Sequence, residues 1–471
     1  MAAEPPISTP ISNATPIPLR MAVAVWLRIG LLSFGGPAGQ IALMHKELVE
    51  RRRWVDEARF LHALNYCMLL PGPEAQQLAV YLGWLMHRTL GGVVAGVLFI
   101  APGLLSMMML CALYATAGAV AWLQLVYLGV RAAVVVLVLE ALHRMALRAC
   151  KTRLHRGIAI LAAVATAGLA VPFPVVVALA LLVGVIAAWR ARADATPPVL
   201  ADDRETVIAG MALRGELAHT QPSLGRALRV LSAGVALWFA PLLAIGWLDG
   251  TDSMLWHQGW FFCQAAVLTF GGAYAVLSYV AQYAVVDHQW LRPREMLDGI
   301  AMAESTPGPL ILVVQFVAFM AAYRYGASSP GAMASMTPMV GGILSALLVI
   351  WVTFVPSFMW IFLGGPYVES LRKKPAVNAA LGCVSAAVVG VIGKLALWFA
   401  LHTCFTDATI WHRWPLQIDV PSGQVVWPSL GMIAIVVVAR RWRVRSAMML
   451  LALGIALGLG WMTLVLGVGL R

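Results

Sequence analysis

Two stretches of this chain carry the residues whose types and spacing could do chemistry, and they follow one pattern. The first holds Ser33-Phe34-Gly35-Gly36-Pro37, Trp54 and Leu70-Pro71-Gly72-Pro73-Glu74. The second holds Thr269-Phe270-Gly271-Gly272-Ala273, Trp290 and Ser305-Thr306-Pro307-Gly308-Pro309. Phe-Gly-Gly, Trp and Pro-Gly-Pro recur at one constant offset without a gap, which marks an internal repeat. A looser block follows at a slightly larger offset, pairing Pro102 with Pro356 and Val130 with Val384, so the second copy carries an insertion near 325–340. Proline lacks an N–H and disfavours helix at the residue before it, so each Pro-Gly-Pro interrupts an apolar helix and restarts it. About ten apolar residues precede Pro71 and about fifteen follow it, which sets the break near mid-bilayer.

A helix that restarts there offers free N–H groups and the positive end of its dipole, the ingredients of an anion site. Broken backbone is tolerated at that depth only against protein or a water-filled cavity. The candidate binding residues are therefore Phe34, Gly35, Gly36, Pro71, Gly72, Pro73, Gln76 and Gln77 in the first copy. In the second they are Phe270, Gly271, Gly272, Ser305, Thr306, Pro307, Gly308 and Pro309. Ionisable residues inside apolar stretches (Arg28, Glu74, Arg131, Glu140, Glu304 and Lys394) face a pathway or pair with one another. Arg28, two helical turns before the first Gly-Gly, is the preferred side-chain ligand, because a guanidinium fork matches a tetrahedral oxyanion. Snorkelling to the surface is its plain alternative. Arg131, in mid-stretch, is the second candidate. Glu74 and Glu304 flank the breaks and would repel an anion unless protonated or paired, which makes them proton-coupling candidates. Capping for Glu74 and interfacial pairing for Glu304 are the alternatives. Glu140 and Lys394, near stretch ends, read as snorkelling.

The elements that must position these groups follow from composition. With 61% hydrophobic and 11% charged residues the chain is not an ordinary soluble globule, where about a quarter are charged. Runs such as 93–100 and 132–139 are apolar on every face, which excludes the alternation of a transmembrane β-barrel. The reading is an all-α polytopic membrane protein with about 13 transmembrane helices: 21–44, 60–84, 89–114, 120–142, 157–171, 173–189, 228–248, 257–283, 297–323, 338–363, 376–402, 425–439 and 446–468. The net charge of +12 sits between spans and reports topology rather than nucleic-acid binding. Basic loops at 144–156, 372–374 and 440–445 are cytoplasmic by the positive-inside rule. The N-terminus is then inside and the C-terminus outside. The domains are a disordered tail 1–20, a repeat 21–189, a cytoplasmic linker 190–229, an odd connecting helix 228–248 and a second repeat 257–471. That odd helix inverts the second copy, so the two form inverted repeats with broken helices at the midplane. Residues 45–59, with Lys46, Arg51, Arg52, Arg53 and Arg59, face outward in this scheme, against the rule. The conflict lifts if the first helix does not fully cross.

No His or Cys spacing supports a metal site, and the six cysteines form no CxxC. There is no Walker A motif and no defensible Ser/His/Asp set, so no cofactor and no enzyme activity is expected. An enzyme acting on a lipid carrier would need an acid/base set at the midplane, and a sensor would need a soluble output domain. At Phe34-Gly35-Gly36-Pro37, Trp54, Leu70-Pro71-Gly72-Pro73-Glu74-Ala75-Gln76-Gln77, Phe270-Gly271-Gly272 and Pro307-Gly308-Pro309 the sequence closely resembles the chromate ion transporter family, in its long-chain form. The resemblance runs from residue 21 to about 471; Ala273 and Leu310 depart from it where the first copy has Pro37 and Glu74. It implies a secondary transporter exporting chromate across the bacterial inner membrane, with chromate resistance as the outcome and sulfate as a look-alike competitor. A sulfate or other oxyanion permease is the alternative. Inverted halves make a monomer sufficient, and a homodimer is compatible with them.

Overall fold

The computed structural model describes the chain except residues 1–16, 35, 69, 118–119, 170, 191–205, 209–210, 212–214, 271–272, 329–331, 368–374, 414–415, 443–446 and 470–471. The tail up to residue 16, much of the linker, and the candidates Gly35, Gly271 and Gly272 thus lie outside the described residues.

The first part of the chain forms α1 (Leu19–Leu31), α2 (Gly36–His45), α3 (Glu57–Cys67), α4 (Glu74–Ala117), α5 (Ala121–Ala149), α6 (Arg153–Ala167) and α7 (Phe173–Arg190). After the linker come α8 (Leu224–Leu248), α9 (Met254–Leu268), α10 (Ala273–Ala281), α11 (Pro293–Ser305), α12 (Val313–Tyr325), α13 (Pro338–Gly364), α14 (Pro375–Cys404), α15 (Trp427–Trp442) and α16 (Ala447–Gly469). Among the described residues six helices are long and apolar enough to cross a membrane: Glu74–Ala117, Gln124–Ala149, Phe173–Arg190, Leu224–Leu248, Pro338–Tyr367 and Ala379–Cys404. Leu310–Tyr325 and Met449–Val465 are shorter apolar helices. The chain is an all-helical membrane protein with one addition that the sequence reading lacked. An antiparallel hairpin, β1 (Ala408–Arg413) and β2 (Leu416–Pro421), pairs Ala408 with Pro421 and Arg413 with Leu416 between α14 and α15.

Local geometry recurs at the spacing of the sequence motif. α2 widens into a π-helical turn at Lys46–Arg51, and α10 does the same at Gln282–Asp287. Arg53 (φ 50°) and Gln289 (φ 52°) then adopt the left-handed conformation uncommon for side-chain-bearing residues. α4 turns sharply at His87 and Arg88 (φ 53°), so it is two helices. The first returns from the break, and the second crosses. α12 and α13 make the same pair with the insertion between them.

The two crossing segments run antiparallel and close. A β-carbon on Gly92 would meet the Phe362 ring at 2.6 Å, and one on Gly96 would meet the Phe358 ring at 2.5 Å. Small residues permit this approach, the usual device where no hydrophobic force separates helix from lipid. Further out the copies interlock: α5 packs against α15 and α16, while α14 packs against α6 and α7.

One expectation is corrected here. α1 runs beside the second segment of α4 in the same sense, from Ile17, whose carbonyl meets His87 Nε2 at 2.7 Å, to Gly30, which abuts the Leu98 carbonyl. It stops there, and α2 comes back. His45 Nε2 meets Glu57 Oε2 at 2.5 Å, and linker residues Val207 and Ile208 donate to the carbonyls of Arg53 and Trp54 at 3.3 and 3.1 Å. Residues 45–59 therefore share one end of the bundle with Ile17 and the linker, rather than the opposite end. At 13 residues α1 is about 20 Å long, less than the ~30 Å of hydrocarbon, and the chain turns back after it instead of continuing across.

Candidate functional site

The four helix breaks meet, and each copy's Pro-Gly-Pro is stitched to the other copy's first break. Gly72 N–H donates to the Thr269 carbonyl at 2.8 Å, and Gly308 N–H donates to the Ser33 carbonyl at 2.9 Å. Ser33 and Thr269 are equivalent positions, as are Gly72 and Gly308, so the bonds are reciprocal. Both glycines need positive φ, 132° and 100°, which L side chains rarely adopt. Space is also tight: a β-carbon on Gly72 would lie 2.6 Å from Ser357 Oγ, and one on Gly103 would lie 2.1 Å from the Pro307 carbonyl oxygen.

Polar side chains converge on the stitched region. Gln40 Nε2 donates to the Gly308 carbonyl at 2.5 Å and to Ser33 at 3.4 Å. Gln77 Nε2 folds back on the Pro71 carbonyl at 2.8 Å. Gln76 is fully buried with neither its amide oxygen nor its nitrogen bonded, and Ser33 Oγ, Gln40 Oε1 and Gln77 Oε1 are likewise buried without a partner. Buried amides are normally satisfied, and each orphan costs about 1–3 kcal/mol, so such a cluster needs a reason. Ser305 and Thr306 are less available as donors, because their hydroxyls bond to the Met302 and Ala303 carbonyls at 2.9 and 3.1 Å. Phe34 is half-buried at its break, and Phe270 packs against the main apolar core. Pro71, Pro73 and Pro309 provide the turns themselves; Pro73 and Pro309 cap the restarting helices. By helix geometry the N–H groups of Glu74, Ala75 and Gln76 have no partner within α4. In the second copy Leu310–Leu312 is wound as a tight 3-10 turn.

The ionisable candidates fall in three different places. Glu304, 3% exposed, accepts a hydrogen bond from Tyr274 and lies beside Gly36 of the other copy, 3.8 Å from a β-carbon placed there. Glu74 stands at the start of α4 with no hydrogen bond or ion pair among the described residues. Arg131 is engaged elsewhere: Nε and Nη2 hold the Asp298 carboxylate at 2.6 and 2.7 Å, Nη2 reaches Gln124 at 3.1 Å, and Tyr114 donates to Asp298 at 2.8 Å. Arg28 also lies away from the stitched breaks. Its guanidinium, 48% exposed, faces Glu47 at 3.9 Å, with Arg51 and Arg52 at 3.1 and 3.6 Å on the same carboxylate. The sequence reading missed Asp298, Tyr114, Tyr274 and Gln40. Asp298 carried the signal that should have found it, an acid within an expected span. The tyrosines and Gln40 carried none.

Comparison with known proteins gives the chain a family. The family model described as chromate transporter matches residues 21–186 and 256–459, the two segments that hold the breaks. The chromate transport protein of Pseudomonas aeruginosa is 32% identical over 385 residues, 81% of this chain and 80% of that protein. That of Cupriavidus metallidurans is 28% identical over 394 residues, 83% of this chain and 85% of that protein. A probable chromate transport protein of Synechococcus elongatus is 28% identical over 387 residues, 80% and 86% of the two chains. No solved structure matches. With both broken-helix segments matched and relatives aligned over most of their length, this chain belongs to the chromate transporter family.

Proposed function

We propose that the protein is a secondary transporter that carries chromate out of the cytoplasm across the bacterial inner membrane and so confers resistance, with sulfate as a competing oxyanion. The observation that carries this reading is the stitched centre: reciprocal Gly72–Thr269 and Gly308–Ser33 bonds beside the unpartnered amide of Gln76. The free N–H groups at the start of α4 and the Gln76 amide supply donors for a tetrahedral anion. Backbone donors discriminate charge and shape rather than the central atom, which keeps sulfate in play.

In this reading the end of the bundle holding Ile17, residues 45–59 and the linker is cytoplasmic, together with the basic loops. The second segment of α4, then α5, α6, α7, α8, α13, α14, α15 and α16 cross. The pairs α1–α2 and α3 with the first segment of α4 enter from the cytoplasm and return, while α9–α10 and α11–α12 do so from the periplasm. The N-terminus is inside, the C-terminus outside, and the repeats 21–189 and 257–471 are inverted about 228–248. The antiparallel contact of Gly92 and Gly96 with Phe362 and Phe358 supports that inversion. Glu74 and Glu304 are the proton-coupling candidates, and a monomer suffices.

Export has a ready driving force. With the cytoplasm negative, expelling a dianion releases ~4–5 kcal/mol per 100 mV, since each charge contributes about 2.3 kcal/mol. The test is chromate uptake into everted vesicles with and without an imposed potential. Potential-driven uptake, competed by sulfate and lost in Gln76→Ala protein that still inserts, is expected. Absence of uptake by correctly inserted protein would send the substrate question to a wider anion screen.

A further inference from the structure

Away from the stitched centre, toward the hairpin end of α14, Lys394 borders a small open-sided cavity with room for about one or two waters. Its walls include Ser278, Ala281, Gln282, Val286 and Trp398. Lys394 Nζ donates to Gln282 Oε1 at 3.3 Å, and Gln282 Nε2 donates to Asp287 Oδ1 at 3.1 Å. An ammonium has three donors, and Gln282 takes one. No carboxylate among the described residues forms an ion pair with it; Asp419 and Asp287 act on it from longer range. The equivalent residue of the first copy, by the offset that pairs Pro102 with Pro356, is Glu140. It has the opposite sign and is closed off by Arg144 at 3.0 Å and by Arg440. One copy thus buries a neutralised acid where the other leaves a cation facing open space. A cation at such depth calls for water or an anion to meet it.

We propose that this cavity is a second oxyanion site, on the periplasmic side, which a sulfate- or chromate-type dianion occupies on leaving, with Lys394 as its cation and the Ser278 hydroxyl lining it. The proposal rests on the orientation and substrate class argued above. Its position beside the π-helical turn of the periplasmic hairpin gives a departing dianion a station between the centre and bulk water. The dianion exchanges the donors of the helix N-terminus for an ammonium before it rehydrates.

The test labels the full-length protein in spheroplasts with a membrane-impermeant amine-acetylating reagent and reads Lys394 by mass spectrometry, with and without inorganic sulfate. Acetylation of Lys394 from outside, slowed several-fold by sulfate but not by chloride at equal ionic strength, is expected, with Lys46 and Lys151 untouched until the membrane is opened. Failure to label from outside, or labelling that sulfate does not slow, overturns the proposal. A companion measurement uses Lys394→Gln: external sulfate should inhibit chromate export by the parent several-fold more than by the variant, and equal inhibition would count against the site. Because sulfate protection is read without transport, the site can stand even where chromate export fails.

Discussion

The hairpin built from α1 and α2 and its counterpart built from α9 and α10 share a backbone and differ in nearly every charged side chain. Both end in a π-helical turn, at Lys46–Arg51 and Gln282–Asp287, and both follow it with a left-handed residue, Arg53 and Gln289. Where the first turn gathers Arg28, Arg51 and Arg52 around Glu47, the equivalent positions in the second hold Gln264, Asp287, His288 and Tyr283. Tyr283 there stacks on Phe261 with ring centroids 3.6 Å apart. Backbone geometry thus recurs where the chain must bend, whereas side-chain chemistry differs from one bend to the other. Cations gather at one turn and aromatics at the other, so in the proposed function an anion would meet two unlike mouths on either side of a centre of near-symmetric backbone.

The sharpest way to break the comparison lies in the helices that press on the two Pro-Gly-Pro turns. Gly103 abuts Pro307 in the second copy, and its equivalent, Ser357, abuts Gly72 in the first. Gly103→Ser should abolish transport, because its side chain must start 2.1 Å from a carbonyl oxygen that is fixed by the turn. Overpacking of that kind costs about 1–3 kcal/mol or more. Ser357→Gly should keep at least half the activity, since it only vacates space. Vesicle uptake of both variants checks the pair, and equal loss in both would mean that the turns are not held by close approach.

Next after that loss of transport comes a loss of stability at the buried Arg131–Asp298 pair. Asp298→Ala leaves Arg131 buried and unpaired, which should cost about 3–5 kcal/mol, read as a lower unfolding temperature in detergent. Arg131→Met combined with Asp298→Leu should recover much of that loss. Tyr274→Phe, which strips Glu304 of a hydrogen-bond donor, should destabilise by about 1–3 kcal/mol in the same assay. If the double variant is no better than Asp298→Ala alone, the Arg131–Asp298 pair is doing more than satisfying itself.

Much of the centre was legible from residue types, because Pro-Gly-Pro has few structural meanings inside an apolar stretch. The break at Pro71, the restart at Glu74 and the matching break at Pro307 all follow from proline's missing N–H. What was not legible is which break touches which. The Gly72–Thr269 and Gly308–Ser33 bonds join residues far apart in sequence by backbone groups, and backbone groups leave no trace in residue identity. The return of α2 was legible only as a conflict. Lys46 and Arg51 to Arg53 disagreed with the outward side, and in the structure the chain turns back after the 13-residue α1, so that they lie at the same end of the bundle as Ile17 and the linker. Arg131 misled for a related reason, since a lone cation in an apolar stretch looks like a ligand until Asp298 is found beside it.

The smallest expected effect concerns Arg28, and it separates a binding group from a guide. Half exposed, with its guanidinium 3.9 Å from a carboxylate already shared by Arg51 and Arg52, it stands in a cluster of three cations and one acid. Pairs that exposed contribute about 0–1 kcal/mol, so Arg28→Ala should barely change stability. An excess of positive charge at a mouth instead raises the local anion concentration, an effect screened within about 10 Å at 0.1 M salt. Arg28→Ala should therefore raise the chromate concentration needed for half-maximal uptake by a few-fold at low ionic strength and hardly at all at high, with the maximal rate unchanged. Glu47→Gln should do the reverse, lowering that concentration, because it frees the cluster of its one negative charge. If Arg28→Ala abolished uptake at every salt concentration, Arg28 would have to reach the dianion itself, and α1 would have to move toward the stitched centre during transport.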